Sequence, residues 1–149
     1  MKYEHLLKSH RLKVTPQRIA IIELMQYAGH ISIDELYNAI REKFASISLA
    51  TLYKNVHTML DVSLIREIKI PGQKTKYEIE KESHAHAMCK ICGELKDVPL
   101  NPSALLQNTA EMSQYIADEI SVVISGVCPA CQKKYLARPL PLPGRGDGI

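Results

Sequence analysis

The chain has 149 residues, a hydrophobic fraction of 46% and a net charge of +3, which suits one domain or two small ones. Its first ten residues are too polar for a signal peptide, and no apolar run approaches the length of a membrane span, so we expect a cytoplasmic protein. The positive excess lies in residues 1–80, which hold 12 Lys and Arg against 9 Asp and Glu, whereas residues 81–149 hold 7 of each. This distribution favours a polyanionic partner for the first part of the chain.

The N-terminal part of the chain predicts helices. Residues 2–10 predict a short leading helix. Thr15 followed by Pro16 predicts a capped helix that continues to Tyr27 and is ended by Gly29.

Two further helix starts follow, each marked by a serine. Ser32 with Glu35 three residues later forms a capping box. Ser48 caps a third helix, whose inward-facing apolar residues recur at helical spacing as Leu49, Leu52, Val56 and Leu60.

Beyond Asp61 the pattern changes to short strand-like runs. Residues 65–70 and 74–79 flank a Pro-Gly-Gln turn at positions 71–73, which predicts a β-hairpin. Helices followed by a hairpin have the order of a winged helix, in which the hairpin is the wing.

The remaining chain predicts a smaller mixed domain. Residues 94–99 predict a short strand, residues 101–117 a helix and residues 120–125 a second strand. The Pro- and Gly-rich tail at 137–149 is predicted to be disordered. We therefore expect an α+β fold with a winged helix-turn-helix domain at 1–80 and a small α/β domain at 81–136.

Four cysteines in two C-x-x-C pairs give the strongest signal in the chain. Cys89 with Cys92 and Cys128 with Cys131 supply four thiolates, the closed tetrahedral set that structural zinc prefers. In a reducing compartment such cysteines are more often metal ligands than disulfides. A thiol redox pair is the competing interpretation, but two pairs without a thioredoxin-like order of strands and helices favour zinc.

A pair of alternating histidines indicates a second metal. On an extended strand, His84 and His86 would point their imidazoles to the same face. Imidazole suits Fe, Zn or Mn, and a carboxylate completes a harder site. The spacing does not choose among the candidate carboxylates Glu78, Glu80, Glu82 and Asp97. Exposed histidines without a role are the alternative, and His30 alone is more typical of a surface histidine at a helix end.

The third helix carries side chains that suit DNA recognition. Opposite its apolar stripe it exposes amide, hydroxyl and basic groups, which are typical of base and phosphate contacts, at Thr51, Tyr53, Lys54 and Asn55. A solvated helix face is the commoner explanation when such residues are considered alone, but the order of elements and the distribution of charge favour DNA. Phosphate contacts are predicted for Lys13 and Arg18, and for the wing residues Arg66, Lys69, Lys74 and Lys76.

Five stretches of the chain match a known family. They are residues 15–18 (TPQR), 31–37 (ISIDELY), 48–55 (SLATLYKN), 84–93 (HAHAMCKICG) and 126–131 (GVCPAC). On these motifs the chain resembles a repressor of the ferric-uptake-regulator family over about residues 3–136.

The resemblance implies a DNA-binding winged helix, a hinge and a C-terminal α/β dimerisation domain. It implies structural Zn²⁺ on the four cysteines. It also assigns a regulatory metal, Fe²⁺ or Mn²⁺, to His30, Glu78, His84, His86 and Asp97. The metal-bound homodimer would bind a palindromic DNA operator and release it when the metal is lost.

Two branches of the family remain open. Asp97, rather than Glu, resembles the peroxide-sensing branch, although Glu78 stands where that branch commonly has Asp. Iron-sensing members often carry a further site, whose positions here are the poor ligands Ser83, Ala85 and Ile120.

We hypothesise the peroxide branch. Reduction of hydrogen peroxide at an Fe²⁺ site would irreversibly oxidise His30 or His84 and end repression. An iron-responsive repressor is the alternative, and a cytosolic thiol-disulfide oxidoreductase is the alternative from another class. No paired nucleophile and base supports a hydrolase, so we expect a protein that is not an enzyme.

Overall fold

The computed structural model describes residues 2–135, and their first half begins with four helices. These are α1 (Lys2–Ser9), α2 (Pro16–Ala28), α3 (Ile33–Ile40) and α4 (Leu49–Asp61). The predicted caps of the last three are confirmed, because in each the side-chain oxygen accepts the backbone N–H three residues later, at Thr15, Ser32 and Ser48.

A three-stranded antiparallel sheet completes the first unit. Its strands are β1 (Ile31–Ser32), β2 (Ile65–Ile68) and β3 (Lys76–Ile79), in the order β1-β3-β2. The predicted hairpin is therefore confirmed, and Gly72 in its turn has a φ of +75°, which glycine adopts without steric cost. The two-residue strand β1 was not predicted, because it is too short to show a period.

The core of this unit is aliphatic. Its fully buried side chains come from all four helices and from β2, and they include Leu7, Ile21, Ile22, Met25, Leu36, Ile40, Leu52, Met59 and Ile65. One face of α4 packs into this core through Leu52, Val56 and Met59. The opposite face of α4 is thereby directed to solvent.

The chain divides into two compact units between Glu82 and Ser83. The second unit contains β4 (Ala85–Cys89), β5 (Leu95–Val98), α5 (Ser103–Ser113), β6 (Val123–Gly126) and α6 (Pro129–Tyr135). Its sheet has the order β5-β4-β6, with β5 antiparallel and β6 parallel to β4. Together the two units confirm the predicted α+β fold class.

Two predicted elements of the second unit have different bounds in the structure. The helix predicted to reach residue 117 ends at Ser113, because Gln114 is left-handed with a φ of +63° and its N–H bonds the carbonyl of Ala110. The strand predicted from residue 120 begins at Val123, where pairing with β4 starts. The predicted disorder of the tail concerns residues 137–149, which lie outside the described residues.

The second unit buries few apolar side chains. In residues 83–135 the hydrophobic residues of the core are Ala85, Met88, Cys89 and Cys131, and α5 has no buried residue. Met112 and Ile116 are 86% and 97% exposed. A core this small needs a metal or a partner surface to be stable. No helix among the described residues is long and apolar enough to cross a membrane.

Candidate metal centres and DNA-binding face

The structure brings the four cysteines together in the second unit. Cys89 ends β4, Cys92 lies in the following turn, Cys128 precedes α6 and Cys131 lies within it. All four sulfurs lie within 4.8 Å of one another, and the Sγ atoms of Cys92 and Cys128 are 3.8 Å apart. The parallel pairing of β6 with β4 runs from His86 opposite Val123 to Cys89 opposite Gly126, so it places one C-x-x-C turn beside the other.

Backbone N–H groups surround these sulfurs. Cys89 Sγ accepts from the N–H of Cys128 at 3.4 Å and from that of Cys92 at 3.5 Å, and Cys128 Sγ accepts from the N–H of Cys131 at 3.5 Å. The hydrogen bonds from Cys128 and Cys92 lower the pKa of the Cys89 thiol to about 6, whereas burial raises the pKa of the Cys131 thiol to about 12. Four soft sulfur donors, one of them readily ionised, fit a divalent zinc ion.

The first unit holds a buried histidine–carboxylate pair. His30 follows α2 after Gly29, and its Nε2 lies 3.2 Å from Oε2 of Glu78 on β3. The Glu78 side chain is only 1% exposed. Its other oxygen, Oε1, accepts a hydrogen bond from Arg66 Nε at 2.7 Å.

The second unit holds two histidines and a carboxylate. His86 on β4 is directly opposite Asp97 on β5, and the ring nitrogens of His84 and His86 lie 3.4 and 3.5 Å from Asp97 Oδ1. The Nε2 atoms of the two histidines are 3.0 Å apart. Two nitrogens that share one cation at bonds of about 2.1 Å are expected to lie roughly 3.0–3.4 Å apart, for angles at the metal from about 90° to about 109°. The donor set therefore fits a metal that accepts nitrogen and oxygen.

The outer face of α4 carries the predicted DNA-binding side chains. Thr51, Tyr53 and Lys54 are exposed, and Asn55 is half-buried. The Tyr53 ring stacks on His57 one turn later, with centroids 6.4 Å apart. His57 belongs to the same face and was missed by the sequence analysis, although its spacing of four residues from Tyr53 is a signal that could have found it.

Arg18 ties α4 to α2. Its Nε donates to Asn55 Oδ1 at 3.1 Å, and its guanidinium also donates to the carbonyl of Lys13 at 2.9 Å. The Asn55 amide in turn donates to the carbonyl of Thr51 at 3.1 Å. The polar side chains of Arg18 and Asn55 are thus engaged with the protein itself.

Two basic residues of the predicted wing make ion pairs with acidic side chains at the start of α3. Lys74 Nζ contacts Asp34, and Lys76 Nζ lies 3.7 Å from Glu35. The hydrogen bond to Asp34 raises the pKa of Lys74. The Lys74 side chain is nevertheless 74% exposed, so DNA phosphates can compete for it.

Comparison with known proteins identifies the family. The model of the ferric uptake regulator family matches residues 9–123. The peroxide operon regulator of Bacillus subtilis (strain 168) is 30% identical over 130 residues, which cover 86% of this chain and 90% of that protein.

Solved structures show the same similarity. The Campylobacter jejuni peroxide stress regulator has 34% identity and a TM-score of 0.65, covering 88% of this chain and 100% of that one. The Vibrio cholerae ferric uptake regulator has 28% identity and a TM-score of 0.66, covering 84% of this chain and 98% of that one.

These matches confirm the resemblance drawn from the sequence motifs. Members of the family are dimeric, metal-binding, DNA-binding proteins with an N-terminal DNA-binding domain and a C-terminal dimerisation domain. They regulate transcription and are not enzymes, as the sequence predicted. The chain belongs to the ferric uptake regulator family and is a metal-dependent transcriptional regulator.

Proposed function

We propose that the protein is a repressor that binds a palindromic operator as a homodimer while a regulatory metal is bound, and that hydrogen peroxide ends repression by oxidising a ligand histidine. The observation that carries the proposal is that each unit holds histidine and carboxylate groups within 3.5 Å of one another, as His30 with Glu78 and as His84 and His86 with Asp97.

Two metals serve different purposes in this proposal. The four cysteines hold Zn²⁺, which stabilises the second unit, where the described residues form only a small apolar core. The regulatory ion, Fe²⁺ or Mn²⁺, takes its ligands from His30, Glu78, His84, His86 and Asp97. DNA affinity depends on this ion, so operator binding responds to its gain or loss.

The two units have separate roles. Residues 1–80 form the DNA-binding domain, and residues 81–136 form the dimerisation domain. The exposure of Met112 and Ile116, and the absence of any buried residue in α5, support a second copy of the chain as the partner of that surface. A two-fold dimer presents two identical DNA-binding faces, which suits an operator with palindromic half-sites.

The DNA-binding face combines base and phosphate contacts. Thr51, Tyr53 and Lys54 project from α4 to contact the operator, while Lys13 and Lys74 contact phosphates. Arg18 and Asn55 contribute through their mutual hydrogen bond, which fixes α4 against α2.

Peroxide sensing is favoured over iron sensing by the relatives named peroxide regulators, at 30% and 34% identity. Bound Fe²⁺ supplies the one-electron chemistry that activates hydrogen peroxide. His30 or His84 receives one oxygen atom on its ring, and the second oxygen of the peroxide leaves as water. The oxidised ring is a poorer ligand, so the regulatory metal is lost and the operator is released.

The test is intact mass and operator binding of the Fe²⁺-loaded dimer before and after a small dose of hydrogen peroxide. We expect a mass gain of one oxygen on His30 or His84, with loss of DNA binding. His10 and His57 serve as internal controls that stay unmodified, and the Mn²⁺-loaded protein should respond little. An unchanged mass with retained binding, reversed only by removing iron, would establish an iron-responsive repressor instead.

A further inference from the structure

Arg66 contacts the carboxylate of Glu78 inside the first unit. Arg66 on β2 is directly opposite Glu78 on β3, and its Nε donates to Oε1 at 2.7 Å. Its Nη1 also donates to Oε1 of Glu80 at 3.3 Å. One guanidinium therefore binds the carboxylate of Glu78 on β3 and that of Glu80, which directly follows this strand.

Burial makes this contact important for Glu78 in particular. The Glu78 side chain is 1% exposed, whereas that of Glu80 is 39% exposed and has access to water. A buried carboxylate is costly unless a cation or hydrogen bonds compensate it. Arg66 provides that compensation whether or not a metal is present.

The two oxygens of Glu78 have different neighbours. Oε1 accepts from Arg66, and Oε2 lies 3.2 Å from His30 Nε2. A metal bound beside His30 would therefore share the carboxylate with a fixed positive charge. Like charges that bind the same anion oppose each other, and the effect is large where water is excluded.

We infer that Arg66 is a positioning residue that competes with the regulatory metal for the charge of Glu78. It lets the metal-free protein fold with a buried carboxylate, and it weakens metal binding so that the metal can leave. This inference rests on the proposed function in one respect, namely that Glu78 is a ligand of the regulatory metal.

The experiment is calorimetric titration of Mn²⁺ into the zinc-containing protein. Arg66→Met removes the charge but keeps an unbranched side chain, and we expect it to tighten Mn²⁺ binding at least about tenfold. Arg66→Lys retains the charge and should remain within about threefold of the wild type.

Lys69→Met is the matched control. It removes the same charge from the same hairpin, but Lys69 is 79% exposed and lies 3.6 Å from Glu67, so its loss should change Mn²⁺ affinity by less than about twofold. The inference would be overturned if Arg66→Met bound Mn²⁺ as tightly as the wild type or more weakly. It would also be overturned if Lys69→Met gained as much Mn²⁺ affinity as Arg66→Met.

Folding of the variants gives a second measurement. Metal-free Arg66→Met should unfold at a lower temperature than the wild type, and saturating Mn²⁺ should raise its Tm by more than it raises that of the wild type. If the variant is unfolded without metal, Mn²⁺ should refold it, and failure to do so would overturn the inference. A wild-type protein that binds no Mn²⁺ or Fe²⁺ would overturn the proposed function as well, whereas unaltered affinity in Arg66→Met would leave that function standing.

Discussion

Replacing Arg18 by Met tests how the α2–α4 contact supports DNA binding. In the structure Arg18 Nε donates to Asn55 Oδ1 at 3.1 Å, and the guanidinium also donates to the carbonyl of Lys13. If these internal bonds are the main role of Arg18, its loss weakens operator binding by loosening α4. If Arg18 instead contacts a phosphate, its loss removes a charge from the interface.

The size of the effect follows from the burial of the bond. Hydrogen bonds to charged groups contribute roughly 1.5–3 kcal/mol, and the partial exposure of Arg18 and Asn55 reduces this to about 1 kcal/mol. We therefore expect Arg18→Met and Asn55→Ala each to lower the free energy of unfolding by about 1–2 kcal/mol, with a coupling energy of about 1 kcal/mol in the double variant. A loss of 1 kcal/mol lowers the Tm of a domain of about 80 residues by roughly 4–8 °C.

The assay combines a denaturation double-mutant cycle with the salt dependence of operator binding. Arg18→Met should weaken operator binding without changing the slope of log K against log salt. Lys13→Met is the control, because its exposed side chain is available to phosphates and its loss should reduce the slope by about 0.9. Additive unfolding energies, or a slope reduced by about 0.9 in Arg18→Met, would refute this reasoning.

Four further predictions concern other parts of the chain. Ser48→Ala removes the cap that accepts the Thr51 N–H and should cost about 1 kcal/mol in thermal unfolding, while Ser48→Thr should be nearly neutral. Ile116→Glu changes a side chain that is 97% exposed and should yield folded monomers in analytical ultracentrifugation; an intact dimer would show that this surface is not the dimer interface. Cys89→Ser should lack both zinc and the dimer, measured by metal analysis and analytical ultracentrifugation, because a structural metal site contributes folding free energy; a folded, dimeric variant would contradict the structural role of the four cysteines. Asp97→Glu should lower peroxide sensitivity while metal-dependent DNA binding persists; equal sensitivity would remove Asp97 as evidence for the peroxide branch.

Much of the first unit could be predicted because its signals are local. A cap or a turn is specified by residues a few positions apart, as in Ser32 with Glu35 and in the turn at Gly72. The strand register of the hairpin could also be predicted, since Arg66 and Glu78 are equally distant in sequence from Gly72 in its turn. The contact between them was available from the sequence, but the sequence analysis assigned Arg66 to DNA contacts.

The second unit was less predictable because its pairing is not local. β6 lies beside β4 in parallel, with Val123 opposite His86, and no short motif encodes a partner that distant. The end of α5 depends on a left-handed Gln114, a conformation that glutamine rarely adopts. Nor did spacing select Asp97 among four candidate carboxylates; its position opposite His86 emerges only from the pairing of β5 with β4.

The strand β4 has a consequence for how the protein would behave in a cell. His86 and Cys89 lie three residues apart on it, a distance of about 10 Å along an extended backbone. If the four cysteines hold zinc and His86 binds the regulatory metal, as we propose, a chain without zinc lacks the anchor at one end of this strand, and the histidine near the other end is poorly held. Zinc supply would thus be a condition for any response to iron or peroxide, and a zinc-starved cell would lose repression whatever its oxidative state.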